Sequence, residues 1–277
     1  MAHDPYGEFR QAVDRGEDKI DLGRAALTIA LTDYPDLDIA AYLARLDRLA
    51  IEVTNCCETG GDAWQSLAAL NYVLFDRHGF RGNQDDYYNP KNSFLNEVIE
   101  RKQGIPITLS VLYMDVAQRL GLVLDGVGFP GHFLVKHALD SGEILVDPFH
   151  RGEIKSRDDL RRMLNGLYGG TMPLRGEFLK AATKKDILRR MLGNLKAIYL
   201  KSDNLVKLLA VLDQAIILEP RGAEELRDRG MVYMRLELFP QARADFESYL
   251  RLAPEAKDAA AIRDQLVGLA KQGIVIH

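Results

Sequence analysis

Apolar side chains recur at helical spacing through most of this chain, and the departures from that spacing mark where its chemistry lies. Residues 20–32 and 37–53 alternate apolar clusters with charges at the helical period, which predicts two amphipathic helices. Asp36, just after Pro35, is placed to cap the second. Gly60, Gly61 and Asp62 break the pattern; residues 64–78 resume it, up to a terminating Gly79. Residues 81–92 (RGNQDDYYNPKN) are polar and turn-rich, and predict an exposed loop. Ser93 is placed to cap a helix over 94–102 that Gly104 would end. Pro106 then stands at the first turn of a new helix, where proline is well tolerated. That helix, 107–120, is apolar on most faces, so it is expected to be buried.

The period changes beyond it. Residues 122–129 and 132–138 read as strands separated by Pro130-Gly131, and 144–147 as a third after the turn at 140–142. Connections this short predict antiparallel neighbours, and so bring His132 and Asp147 together. From about residue 183 the pattern is helical alone. Pro220 and Pro254 close similar phrases, AIILEP and YLRLAP, one 34-residue tetratricopeptide period apart. A repeat beginning at Ala223 puts Leu226, Gly230, Tyr233, Ala242, Phe246 and Pro254 on the positions that motif requires. The preceding repeat matches at Leu192, Tyr199, Ala215 and Pro220, but Lys196 replaces a small residue. Residues 256–272 would form a capping helix. The expected architecture is α+β and mostly helical, with a core over 1–182 and helical repeats over 183–277.

Composition narrows the function. With 47% hydrophobic and 27% charged residues the 277-residue chain is an ordinary globular one. A net charge of -4 gives no reason to expect nucleic acid or an anionic membrane as partner. The mixed-charge start predicts no signal peptide, and no apolar run approaches a membrane span. Cys56 and Cys57 are adjacent and unsuited to a mutual disulfide, which fits a cytoplasmic setting.

The phrases NSFLNEVIERKQGIPITLS, GVGFPGHFLVKH, LVDPFHRGEI and RRMLGNLKAIYLK, in that order, resemble the bacterial SirB-type family. That family joins a transglutaminase-like domain to tetratricopeptide repeats. The resemblance covers nearly the whole chain from about Asp62, and implies a transglutaminase- or papain-like core with a small antiparallel sheet. In such a core His132 would be the base and Asp147 the carboxylate that orients it. Matching the helix ends at Arg119-Leu120-Gly121 puts the expected nucleophilic cysteine near Pro106, so thiol catalysis is not expected.

Two readings of the site follow. In the first, His132 and Asp147 are hydrogen-bonding groups of a degenerate site in a protein- or peptide-binding protein. Asn92, Asn96, Glu97, Arg101, Pro106 and Gly131 would line that cleft. In the second, Thr108 or Ser110 is the nucleophile of a hydrolase or acyltransferase, with His132 and Asp147 as base and orienter. The plainer alternative for Thr108 is to satisfy backbone groups at the helix start. No cofactor motif is present. Metal binding is not expected either: His132 and His137 point to opposite faces of a strand, and no HxxxH or CxxC pair occurs. His150 could still approach His132 and Asp147.

Overall fold

The N-terminal helices form where the apolar period predicts them, but their caps differ from expectation. In a computed structural model, which describes residues 4, 6–57, 62–140 and 142–273, the chain opens with α1 (Gly7–Val13), α2 (Leu22–Ile29) and α3 (Ile39–Cys56). Asp38 rather than Asp36 caps α3, accepting a bond from Ala41 N at 3.0 Å. The chain makes another turn after Pro35 before the helix starts. Asp62 caps α4 (Ala63–Asn71) in a reciprocal box with Gln65, and a π-helical turn over Tyr72–Arg77 continues it. Gly60, Gly61 and Ser141, parts of the expected breaks, lie outside the described residues.

The polar stretch 81–92 is not simply an exposed loop. β1 (Arg81–Gly82) enters it, and Asn83 and Asn92 are buried. α5 (Leu95–Arg101) follows, with Phe94 in the N-cap position; the hydroxyl of Ser93 accepts no cap bond. Lys102, at φ 58°, ends α5 in left-handed geometry, so Gly104 is released to β2 (Gln103–Gly104). β1 and β2 pair in parallel. α6 (Pro106–Arg119) is buried on every face from Pro106 to Ala117, as its sequence predicts.

A four-stranded antiparallel sheet comes next, in the order β3 (Asp125–Val127), β4 (Leu134–Leu139), β5 (Gly142–Asp147), β6 (Glu153–Ile154). Two predicted strands are shorter than expected. The segment 129–132 is instead a tight turn, closed by His132 N donating to Phe129 O at 3.0 Å. α7 (Arg157–Tyr168) covers the sheet through Leu160 and Leu164, which pack with Val127, Phe129, Leu134 and Leu145.

The chain divides into two compact units, Met1–Met191 and Leu192–His277, the division falling within α8 (Lys184–Lys201). The second unit continues with α9 (Leu205–Leu218), α10 (Ala223–Arg235), α11 (Phe239–Leu252) and α12 (Ala259–Gly273). Gly230 is where the repeat motif needs a small residue: an added Cβ would stand 2.5 Å from the Phe246 ring. Leu226, Ala242, Phe246, Tyr249 and Ile262 form this unit's core. Arg229 ties three helices together, bonding Asp213 of α9 at 2.6 Å and Asp245 of α11 at 2.7 Å.

Candidate functional site

His132 is delivered by its turn. Pro130 and Gly131 occupy the two central positions, and Gly131 has φ +70°, as the third residue of a type II turn requires. A Cβ at Gly131 would also meet Leu167 at 2.7 Å. Arg190 holds the turn from outside, donating to His132 O at 2.7 Å and Phe129 O at 3.4 Å. Its guanidinium lies over the Phe133 ring, and burial pulls its pKa below the ordinary value.

Asp147 is delivered by the end of β5. Pro148 cannot extend the ladder, and the chain turns over Pro148–His150. Asp147 stabilises that turn by accepting from Phe149 N at 3.2 Å and His150 N at 3.3 Å. The same carboxylate lies between two imidazoles. Its Oδ1 is 3.0 Å from His132 Nε2, and its Oδ2 is 2.8 Å from His150 Nδ1. Lys155 Nζ stands 3.8 Å from Oδ2. Burial alone would raise the Asp147 carboxyl, but hydrogen bonds from His132 and His150 outweigh it and hold the group well below the usual carboxylate range. The bond to Asp147 in turn raises the His150 imidazole above its ordinary value, against the effect of burial. Phe149 sits edge-on to both imidazoles and to Tyr87.

The other predicted residues lie around the start of α6. Thr108 Oγ1 donates to Asn92 O at 2.7 Å and accepts from Ile105 N at 3.1 Å, closing the helix start. Asn92 is the hub of this region: its amide donates to Asp86 O and Tyr87 O, and its Oδ1 accepts from Asn83 at 3.0 Å and Arg101 at 3.3 Å. Pro106 is buried at the first helical position. Glu97 is mostly covered and lies 3.9 Å from Lys91. The buried Ser110 hydroxyl and Asn96 Oδ1 have no hydrogen-bond partner among the described residues. The turn Pro148–His150 packs on α6, but among the described residues neither Thr108 nor Ser110 bonds to His132. Nor do Asn92, Asn96, Glu97 or Arg101 bond to the His132–Asp147–His150 cluster.

A family model described as the transglutaminase-like superfamily matches residues 40–193, and a tetratricopeptide-repeat model matches 195–267. A UPF0162 protein of Xylella fastidiosa is 37% identical over 269 residues, which is 94% of each chain. The chain belongs to the UPF0162 family of transglutaminase-like proteins. The UPF0162 protein of Vibrio cholerae is 28% identical over 267 residues, covering 95% of this chain and 98% of that one. Mouse F-box only protein 21 is 33% identical over 193 residues, 64% of this chain and 29% of that protein. No solved structure matches. For this UPF0162 chain the matches account for both textures read from the sequence: a transglutaminase-like stretch and tetratricopeptide repeats. Among the described residues no helix is long and apolar enough to cross a membrane.

The repeats carry a surface of their own. Leu200, Leu208, Leu212, Met231 and Val232 line a cavity of about 160 Å³ between helices of the second unit. Leu200 and Met231 are exposed there, and the ion pairs Lys196–Asp228 and Arg235–Asp203 border it.

The His132–Asp147 contact is legible in the short connections between the strands. From the sequence His150 has only a conditional place beside the pair, and Arg190 has none. The phrase DPFH carried the signal for His150, because a turn-capping aspartate three residues ahead of a histidine can hold both its backbone and its ring. Arg190 lies 58 positions from His132 and has no local signature.

Proposed function

We propose that this is a cytoplasmic, non-catalytic protein that binds a protein or peptide segment through its repeats and a degenerate transglutaminase-like cleft. The observation that carries this reading is the state of the α6 start. Pro106 stands where the resemblance puts the cysteine, and the nearest hydroxyl, Thr108, already uses its proton on Asn92 O. A hydroxyl nucleophile needs a base within hydrogen-bond reach, and among the described residues neither Thr108 nor Ser110 bonds to His132. The apolar groove around Leu200 and Met231, bordered by ion pairs, suits the apolar face of a short helix or an extended segment. Free thiols at Cys56 and Cys57 agree with a reducing compartment.

The test uses the full chain and a library of fluorescent peptides, read by polarisation. A Met231→Glu variant should bind selected peptides at least about tenfold more weakly, as for loss of a central apolar anchor. Activated esters and acyl-amine exchange substrates should show no turnover above that of His132→Ala. Turnover by the parent chain that disappears in both Thr108→Val and His132→Ala would establish the hydrolase or acyltransferase reading instead.

A further inference from the structure

Asp147 has no solvent exposure, yet it is bonded to two imidazoles at once, and one ligand atom from each of His132, Asp147 and His150 lies within 4.8 Å of the other two. We infer that this cluster is a binding site for a divalent transition metal of the zinc type. Zinc takes nitrogen ligands at about 2.0–2.1 Å and carboxylate oxygens at about 2.0–2.2 Å, so in a tetrahedral site ligand atoms stand roughly 3.3 Å apart. Each imidazole is already near that spacing from one carboxylate oxygen, His132 Nε2 at 3.0 Å from Oδ1 and His150 Nδ1 at 2.8 Å from Oδ2. For both to share the ion with a single Asp147 oxygen, one ring must shift toward the other. His150 has the freedom to do so, since its side chain is 42% exposed.

The donor set and its support fit the metal. Two imidazoles and one carboxylate give three ligands and leave a fourth position for water or for a side chain of a partner. Each neutral imidazole keeps one proton, relocated to its nitrogen facing away from the ion. The ligands are held before the metal arrives: Arg190 fixes the carbonyl of His132, and the Phe149 and His150 amides fix Asp147. Lys155 is the competing cation, but Glu153 holds its ammonium at 2.6 Å, closer than the 3.8 Å to Asp147. Cys56 and Cys57 belong to no such cluster among the described residues.

The inference does not rest on the peptide-binding reading, because no peptide enters its test. The full chain, without an affinity tag and stripped with chelator, is titrated with zinc chloride by calorimetry. Retained zinc is counted by mass spectrometry after dialysis. One equivalent is expected, with a rise in Tm. His150→Ala, chosen because its half-exposed ring contributes little to folding, should bind at least about 100-fold more weakly, at or beyond the cost of losing an outer-shell partner. His137→Ala, outside the cluster, should bind like the parent. Absence of retained zinc overturns the inference. So does equal affinity in parent and His150→Ala, or a zinc equivalent lost only when Cys56 and Cys57 are replaced by serine.

Discussion

The start of α6 and the turn at Asp147 are both buried and both hold polar side chains, yet those side chains serve different ends. At α6, Thr108 and Asn92 bond mainly to backbone groups of neighbouring segments, which is what a helix start and a tethered loop require. At Asp147 two bonds from backbone amides are accompanied by two from side chain to side chain, and the cluster ends at a half-exposed imidazole. Closing the strand-end turn takes only the carboxylate and two amides; the two histidines exceed that need. The difference teaches that the side-chain cluster of this unit sits at the end of the sheet and not at the start of α6.

Four substitutions probe that contrast, each followed by urea unfolding read from Trp64, the single tryptophan of the chain, on α4. Asp147→Ala should be the most damaging, by about 3–5 kcal/mol, because it removes a buried charge from partners that stay behind. A loss under 1 kcal/mol would mean the cluster is held by packing alone. Thr108→Val should cost about 1–3 kcal/mol, the penalty for leaving Asn92 O and Ile105 N unpaired. His150→Ala should cost under about 1 kcal/mol, because a half-exposed partner gains little from its ion pair. Ser110→Ala should be neutral or slightly stabilising, within about 0.5 kcal/mol, because the buried hydroxyl has no partner among the described residues to lose. A larger loss there would give Ser110 a bonding role and weaken the contrast.

Much of this was legible in the chain. A helix apolar on every face could only be buried, and α6 is. Short turns between predicted strands could only bring His132 and Asp147 together, and they do. The spacing of Pro220 and Pro254, with Gly230 between them, announced the repeats, and Gly230 indeed lies against Phe246. What escaped had no local cause. The segment 81–92 looked like surface because its residues are polar. Asn83 and Asn92 are buried even so, because their amides take bonding places that the irregular backbone leaves open. The α3 cap lies two residues past its expected place because Asp36 and Asp38 are equally good candidates by type. The contact of Arg190 with the His132 turn depends on a fold already formed.

The parallel pairing of β1 with β2 has a kinetic consequence. Two residues per strand are far too few to persist alone, and this ladder is extended at its ends by two backbone bonds, Arg81 N to Lys102 O and Asn83 N to Gly104 O, both at 2.9 Å. It survives because α5 is the crossover between the strands and Asn92 ties the crossover to α6. The amide hydrogens of Arg81 and Asn83 should therefore exchange with solvent only when α5 lifts away, at a rate set by a whole segment rather than by local fraying. Those two hydrogens make a built-in clock for the opening of this side of the core.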